Sequence, residues 1–141
     1  MSPFTEAEHA YLATQRLGRL ATVDRAGRPQ NNPVGFWINE ELGTIDIGGR
    51  DLANSRKFAN IENNPQVSFV VDDLASVQPW RVRAVEIRGE AQAVRAAPDG
   101  PQSGHFSGDV IRIRPTRILS WGLDPERPGM QKRNVARNPV T

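Results

Sequence analysis

The chain has 141 residues, no cysteine and a formal net charge of +2. This length fits one domain that buries about two-thirds of the surface of its unfolded chain, and the lack of cysteine excludes disulfides, thiolate metal sites and cysteine nucleophiles. Since no signal-peptide pattern opens the chain and no apolar run is long enough to span a bilayer, we expect a cytoplasmic protein without a membrane segment.

The N-terminal segment predicts a helix. Thr5 and Glu8 form a capping box, in which a hydroxyl is followed three residues later by Glu. We therefore expect a helix over residues 6–15, with Tyr11 and Leu12 facing the core.

A β-hairpin is predicted to follow. Residues 18–23 and 28–39 form its strands, and residues 24–27 form a tight turn between them. Pro29 and Pro33 cannot donate ladder hydrogen bonds, so the second strand must lie at an edge or be bulged there. Such an edge leaves backbone groups free for a ligand.

The stretch from residue 48 to residue 65 has the composition of an anion-binding site. It follows a predicted third strand at residues 44–48, opens with two glycines, and continues as a short helix that has Asp51 as N-cap and stops at residues 63–65. The first turns of this helix carry Ser55, Arg56 and Lys57. Backbone N–H groups, a hydroxyl and two cations suit a phosphate or carboxylate. A helix with an ordinary solvated basic face explains the same spacing equally well.

The rest of the chain predicts mainly strands. We place them at residues 66–72, 81–94, 109–114 and 117–121, with loops at residues 73–79 and 96–108. In the longest strand apolar and polar residues alternate, as in a half-buried strand. Six or seven short antiparallel strands with two helices predict a mainly β protein, a small barrel with flanking helices, over residues 1–124. The polar tail at residues 125–141 is expected to dock loosely if at all.

Metal and triad chemistry is not expected. His9 and His105 are the only histidines, they lie far apart in the sequence, and neither has a metal-ligand spacing. No Gly-x-Ser-x-Gly motif is present. The adjacent Asp72 and Asp73 have the composition of an acid/base pair, although a solvated strand end is the favoured interpretation. We assign no catalytic residue.

Two aromatic residues point instead to a planar ligand. Trp80 and Trp121 are predicted at the rims of the barrel, where each either stacks on a ligand or packs in the core. Together with Arg56 and Lys57 they suit a flat, anionic, nucleotide-like cofactor. Arginine supplies 16 of the 18 basic residues, but these arginines alternate with glutamate and form no basic stripe, so we expect no nucleic-acid partner.

Three segments resemble the pyridoxamine 5'-phosphate oxidase-like split-barrel flavoproteins, and within them the branch that uses the deazaflavin coenzyme F420. That branch includes a tetracycline-pathway reductase. The matching segments are residues 18–22 with 27–30, residues 55–57 followed by 60–68, which include the Ser-Arg-Lys and Asn-Pro motifs, and residues 83–89 together with 114–122. The resemblance covers about residues 8–124.

This resemblance implies an FMN-binding split barrel of six or seven strands that forms a homodimer, with two cofactor sites at the subunit interface. The cofactor phosphate would bind to Ser55, Arg56 and Lys57, and Arg50 would add positive charge nearby. The ring would be bordered by Asn32, Pro33, Val34, Ile47 and Gly48. The same site would include Trp80, Ala84 and Trp121, some of them from the other subunit.

Departures from the family pattern favour F420 over vitamin B6 chemistry. Asn32 and Trp37 stand where the oxidases have Arg and Lys on the second strand, and the terminal Arg-Leu-His-Asp-Arg motif is absent. The implied reaction is hydride transfer from C5 of the reduced deazaflavin to an activated double bond of a small molecule. Two alternatives remain: an FMN-dependent oxidoreductase of the same fold, and a non-catalytic F420 carrier.

Overall fold

The computed structural model of the protein describes residues 2–100 and 107–136. Its helices and strands, in chain order, are α1 (Glu6–Ala13), β1 (Leu17–Val23), β2 (Pro29–Asn39), β3 (Thr44–Ile47), a 3-10 turn (Leu52–Asn54), α2 (Arg56–Asn63), β4 (Gln66–Ser76), β5 (Arg81–Val94), β6 (Val110–Trp121) and β7 (Met130–Asn134). Within these ranges no helix is both long and apolar enough to cross a bilayer.

Six antiparallel strands close into a barrel. They lie in the order β3-β2-β1-β4-β5-β6, and a pairing between β3 and β6 closes the ring. The closing pair is reinforced by Arg112 on β6, whose guanidinium binds the buried carboxylate of Asp46 on β3 at 3.0 Å. The predicted barrel with flanking helices is therefore confirmed.

The barrel is filled by apolar side chains from its six strands and from both helices. The largest fully buried ones are Phe58, Phe69, Leu12, Leu20, Ile45, Ile47, Leu52, Ile87, Ile111, Ile113 and Ile118. The alternation predicted for β5 is confirmed, because Val85, Ile87 and Ala91 are buried while the intervening polar residues lie on the other face.

The capping box is confirmed as well. The Thr5 hydroxyl accepts a hydrogen bond from the backbone of Glu8 at 3.1 Å, and the Glu8 carboxylate accepts one from the backbone of Thr5 at 2.9 Å. Two of the donors that a helix start leaves unpaired are thereby satisfied. The helix ends at Ala13, two residues earlier than predicted.

The predicted edge on β2 is confirmed, and it covers half of the strand. Residues 29–35 pair with β1, whereas residues 36–39 pair with β3. Pro29 and Pro33 both fall in the first half, where the other side of the strand has no pairing within the described chain. The barrel is thus open along this part of β2.

Three further predictions are wrong. Residues 73–76 continue β4 instead of forming a loop, because they pair with β5 in a long hairpin. The two strands predicted on either side of Pro115 are one strand, β6, which accommodates this residue beside a register shift. The tail does not dock loosely, because Met130–Asn134 forms β7 along the C-terminal half of β6. Residues 137–141 lie outside the described range.

Candidate functional site

The N-terminus of α2 is built by a short left-handed turn. Asp51 lies directly before the 3-10 turn and adopts φ +53°, and its side chain forms no hydrogen bond that caps a helix. The prediction of Asp51 as the N-cap is therefore wrong, since the chain needs a left-handed residue here and Asp tolerates that conformation. Ser55 is the N-cap instead: its hydroxyl accepts from the backbone of Phe58 at 3.3 Å.

This cap leaves donors and charge available. The Ser55 hydroxyl also donates to the carbonyl of Leu52 at 2.6 Å, so its single O–H donor is used within the chain. The backbone N–H groups of Arg56 and Lys57, in contrast, lie in the first turn, where no intrahelical acceptor exists. Neither side chain forms an ion pair with any other described residue. The helix start therefore offers two N–H groups and two cations.

Arg56 faces the turn between β1 and β2 across a pocket of about 280 Å³. The pocket is lined by Asp24, Arg25, Ala26, Arg28, Arg56, Ala59, Asn60 and Asn63. Within it Asp24 binds Arg28 at 3.0 Å, and its pKa is lowered by hydrogen bonds from the Arg28 backbone and side chain. Asp24 offsets the charge of Arg28, and the charges of Arg25 and Arg56 remain, so the lining of the pocket carries excess positive charge.

A chain of side-chain amides joins α2 to the open edge of β2. The Asn60 amide nitrogen donates to the Thr22 hydroxyl at 3.0 Å and to the Gln30 amide oxygen at 3.1 Å. The Gln30 amide nitrogen donates in turn to the Asn32 amide oxygen at 2.8 Å. Asn60 and Thr22 are buried, whereas Asn32 is half-buried. We call Ser55, Arg56, Lys57 and these four residues the α2–β2 cluster.

The other residues assigned to the ring divide between two faces of the sheet. Because side chains alternate along β2, Asn32 and the buried Val34 share one face and Pro33 lies on the opposite one. Pro33 lines a separate pocket of about 300 Å³ beside the ion pair of Arg19 and Asp72.

The end of β3 leads directly to the left-handed turn. Ile47 and Gly48 are buried, and Arg50 is exposed. The carbonyl of Gly49 accepts from the backbone of Ser107 at 3.2 Å, so Ser107 contacts this turn.

Trp80, Ala84 and Trp121 lie elsewhere in the same chain. Ala84 on β5 is opposite Trp121 on β6, while the backbone of Ala91, seven residues along β5, donates to the carbonyl of Pro65 just after α2. Seven residues of strand span about 23 Å. Trp80, at the tip of the β4–β5 hairpin, is 67% exposed. The structure therefore links Asn32 to α2 through Gln30 and Asn60. It places Pro33 on the opposite face and keeps the two tryptophans toward the other end of β5.

Trp121 lines the largest of the pockets described, about 460 Å³, between α1 and the β6–β7 connection. Beside it the Arg133 guanidinium on β7 binds the Glu8 carboxylate at 2.7 and 2.8 Å, and Ser120 donates to the same carboxylate at 3.1 Å. Burial alone would raise the pKa of Glu8, but these bonds and the capping bond outweigh it and hold that pKa below its usual value. We call Glu8, Ser120 and Arg133 the α1–β7 cluster.

The α1–β7 cluster was missed by sequence reasoning. Glu8 was recognised only as a capping residue, and Arg133 lies 125 positions away in a segment predicted to be loose. No local pattern connects the two residues. The capping-box position of Glu8 is the one signal in the sequence, and it does not indicate that this side chain is buried.

The adjacent acids on β4 are engaged in structural contacts. Asp72 pairs with Arg19, and Asp73 accepts from Tyr11 at 2.9 Å and from Arg83 at 2.5 and 2.9 Å. The Arg83 hydrogen bonds, helped by Tyr11, lower the pKa of Asp73 despite partial burial. A carboxylate held ionised in this way is a poor proton donor.

Histidine contributes no metal site in the described ranges. His9 on α1 contacts the Glu40 carboxylate at the surface, and His105 lies outside the described residues. Among residues 2–100 and 107–136, no group of three or more His, Asp or Glu side chains is placed to hold a metal ion.

The sequence and the fold of this chain are similar to those of known proteins. The chain is 47% identical over 136 residues to the 5a,11a-dehydrotetracycline/5a,11a-dehydrooxytetracycline reductase of Streptomyces rimosus subsp. rimosus, and the match covers 94% of each chain. Among solved structures, a conserved hypothetical protein from Mycobacterium tuberculosis superposes with a TM-score of 0.67 over 91% of both chains at 23% identity. An F420 reductase superposes with a TM-score of 0.56 at 26% identity, over 73% of this chain and 88% of that one.

The family model for pyridoxamine 5'-phosphate oxidase matches residues 4–122. That range begins just before α1, ends just after β6, and so contains the whole barrel together with the α2–β2 cluster. The chain therefore belongs to the pyridoxamine 5'-phosphate oxidase family of split barrels.

Proposed function

We propose that the protein is an oxidoreductase of this family, a reductase that uses reduced F420 to saturate an activated carbon–carbon double bond of a polycyclic small molecule. The observation that carries the proposal is the start of α2, where Arg56 and Lys57 present two cations and two backbone N–H groups with no anionic partner among the described residues. The name of the 47% identical relative supports the reaction class, and the F420 reductase neighbour supports the coenzyme.

The residues present fit such a coenzyme. Its phosphate would bind at the first turn of α2, held by the backbone and side chains of Arg56 and Lys57, while Ser55 fixes the turn through its bonds to Leu52 and Phe58. The anionic tail would extend toward the positive pocket that Arg25 and Arg56 line. The half-buried Asn32 on the open edge of β2 would border the ring.

When bound, the reduced deazaflavin supplies a hydride for the acceptor. The chain's own residues would bind the phosphate, hold the ring against the β2 edge, and position the ring and the substrate double bond for reaction. Asp73 is held ionised by Arg83 and lies in a structural contact, so we assign it no proton transfer.

A homodimer with two sites at the subunit interface belongs to the same proposal. Within one chain Trp121 lies about 23 Å along β5 from the end of α2. Trp80 and Trp121 would therefore join the α2–β2 cluster from the partner subunit, whereas the buried Ala84 offers a ligand no exposed side chain. The exposed Leu17, Leu74, Val77, Trp80 and Met130 give the single chain apolar surface that a partner would cover.

The coenzyme assignment is tested by fluorescence titration of the purified protein with oxidised F420 and, separately, with FMN. We expect micromolar or tighter binding of F420 and little binding of FMN. The double variant Arg56→Ala, Lys57→Ala removes two charge-assisted phosphate contacts worth about 1.5–3 kcal/mol each, so affinity should fall at least tenfold. Unchanged affinity would remove the site assignment, and stronger FMN binding would favour the FMN-dependent alternative.

Turnover separates a reductase from a carrier. Reduced F420 is mixed with enone-containing polycyclic acceptors, and its reoxidation is followed with and without protein. Catalysed reoxidation supports the reductase, whereas tight binding with no turnover of any acceptor supports the carrier.

Subunit mixing tests the shared site. A dimer of one Trp121→Ala chain and one Arg56→Ala, Lys57→Ala chain should contain one intact site, so mixing the two variants should restore part of the wild-type binding capacity, up to half in each mixed dimer. Sedimentation equilibrium gives the oligomeric state. A monomer, or mixtures with no recovery, would contradict the two-chain site.

A further inference from the structure

We infer that Asn60 and Gln30 are positioning residues that orient the amide of Asn32, so that the open edge of β2 presents an N–H donor, and not an oxygen acceptor, to the ring of the bound cofactor. The inference deepens the proposed function and rests on it for the identity of the ligand. It depends on the hydrogen-bond directions along the amide chain.

The donors and acceptors of the amide chain can be followed from its buried end, Asn60, to Asn32. The Asn60 nitrogen uses its two hydrogens on Thr22 and on the Gln30 oxygen, at 3.0 and 3.1 Å. The Gln30 oxygen is thereby an acceptor, and its nitrogen is turned toward Asn32. At 2.8 Å from that nitrogen, the atom of Asn32 must be its oxygen.

The consequence lies at the open end. With its oxygen turned inward, Asn32 directs its two N–H groups away from Gln30. Among the described residues, none accepts a hydrogen bond from these two N–H groups. Rotating Asn32 alone would place two N–H groups against each other, so the three amides can reverse only together. The orientation of the buried Asn60, 4% exposed, is therefore coupled to that of an amide at the surface.

The link also couples the two halves of the proposed site. Asn60 lies on α2 only four residues after Arg56, so one rigid helix carries both the phosphate-binding cation and the residue that orients the ring contact. Loss of a hydride redistributes charge over the ring, so a donor beside the ring interacts unequally with the two oxidation states. Replacing the Asn32 donor should therefore change the affinities for the reduced and the oxidised coenzyme by different factors.

Two isosteric changes at the edge test the orientation through F420 affinity. Asn32→Asp keeps the inward oxygen and replaces the outward donor by an acceptor, so affinity should fall at least tenfold. Gln30→Glu still accepts from Asn60 but sets an oxygen against Asn32, which must then turn its nitrogen inward and its oxygen outward. It should cause a similar loss without altering Asn32 itself.

The Asn32→Ala background is the matched control. If Gln30→Glu acts through Asn32, adding it to Asn32→Ala should change affinity by less than twofold. An equal loss in both backgrounds would show that the new charge acts on its own and would overturn the inference. Unchanged affinity in Asn32→Asp would show that the outward group is an acceptor, and would overturn it as well.

The role of Asn60 is tested by Asn60→Asp, measured at a pH where the new carboxylate is ionised. This carboxylate can only accept from Gln30, so the whole chain of amides reverses and the affinity loss should match that of Gln30→Glu. Thermal unfolding of the apo variant identifies any folding defect, in which case Gln30→Glu decides. No loss in a folded Asn60→Asp variant would exclude the link to α2.

The affinity ratio for reduced and oxidised coenzyme separates positioning from mere structural support. It should change at least threefold in Asn32→Asp and Gln30→Glu, whereas a loosened fold would weaken the binding of both forms equally and leave the ratio unchanged. Should wild-type protein bind only FMN, the same variants are measured with FMN. If it binds neither ligand, the proposed function and this inference both fail, whereas binding that responds to Arg56→Ala and Lys57→Ala but to none of the amide variants overturns the inference alone.

Discussion

The helices α1 and α2 begin with the same kind of hydroxyl cap, but within the described chain the buried charge near the N-terminus of α1 is paired and the two cations near that of α2 are not. At α1 the residue three positions after the Thr5 cap is Glu8, which accepts from the backbone of Thr5 and binds Arg133. At α2 the residue three positions after the Ser55 cap is the buried Phe58, which offers no carboxylate. The charges of the α1–β7 cluster are thus paired with each other, whereas the α2–β2 cluster has two cations without an ion-pair partner among the described residues, and these can bind a ligand.

This difference shows how one local motif serves either stability or binding. A carboxylate in the first turn of a helix neutralises the positive end of that helix and any arginine nearby. Without it, the same geometry attracts an external anion. Substitutions in the α1–β7 region should therefore change the free energy of unfolding, and those in the α2–β2 cluster should change ligand affinity.

The largest effect on stability is expected at Gly122, next to Trp121. It has φ +74°, and an added Cβ would lie 2.0 Å from the carbonyl oxygen of Val82. Left-handed strain and overpacking together should lower the free energy of unfolding by about 4 kcal/mol in Gly122→Ala. Gly129, with φ +85° and nothing within 4 Å of its Cβ position, is the matched control and should lose about 1–2 kcal/mol. Equal losses in urea unfolding would contradict the clash.

The next largest effect is expected at Glu8. Glu8→Gln leaves Arg133, one-third exposed, without its carboxylate partner, and should cost about 3 kcal/mol at neutral pH. The exposed Glu6, in the same helical turn, is the control, and Glu6→Gln should change stability by about 0.5 kcal/mol or less. A Glu8→Gln loss as small as that of Glu6→Gln would show that the ion pair contributes nothing.

Acidification should narrow the difference between wild type and Glu8→Gln. The pKa of Glu8 is lower in the folded protein than in the unfolded chain, so its contribution is present above the unfolded value of 4.5 and is lost as pH falls through the lower folded value. Urea unfolding of both proteins over this acidic range measures it. A difference that stays constant with falling pH would contradict the lowered pKa.

Ser55→Ala in the α2–β2 cluster is expected to have a smaller effect on stability. Losing the cap should lower the free energy of unfolding by about 1 kcal/mol. Because the Ser55 hydroxyl already donates to Leu52, we expect F420 affinity to fall less in Ser55→Ala than in Arg56→Ala. Parallel thermal unfolding and fluorescence titration compare the two. A larger affinity loss in Ser55→Ala would mean that the hydroxyl leaves Leu52 to bind the ligand.

The smallest effect is expected at the exposed ion pair in the turn before β2. Arg28 is largely exposed and pairs with Asp24, so Arg28→Ala should leave the free energy of unfolding almost unchanged. Its effect on F420 affinity should also be smaller than that of Arg56→Ala, because its charge is already offset by Asp24. Urea unfolding and fluorescence titration measure the two quantities. A stronger affinity loss than in Arg56→Ala would move the anion site toward the turn.

Local patterns predicted much of the barrel. The alternation of β5, the capping box of α1 and the prolines of β2 each depend on neighbours in the sequence, and each is confirmed. The end of β4 was missed because Asp73 looks like a solvated residue until Tyr11 and Arg83 surround it. β7 was missed for the same reason, since Arg133 is stabilised by a carboxylate from the other end of the chain.

The candidate site was only partly predictable for the same physical reason. The Ser-Arg-Lys motif placed its cations on one helix turn, but Asp51 failed as a cap because the backbone needs a left-handed residue there. The partners of Asn60 come from β1 and β2, so its part in the cluster depends on how α2 packs against the barrel. The separation of Trp121 from α2 follows from strand register, which no single segment determines.

The prolines on the open half of β2 have one more consequence, which concerns aggregation. An unpaired strand edge is a template on which another chain can add a strand, and repeated addition produces fibres. Pro29 and Pro33 remove two backbone donors from the half of β2 that pairs only with β1. The barrel can therefore stay open to a small ligand at this edge while resisting extension by another strand.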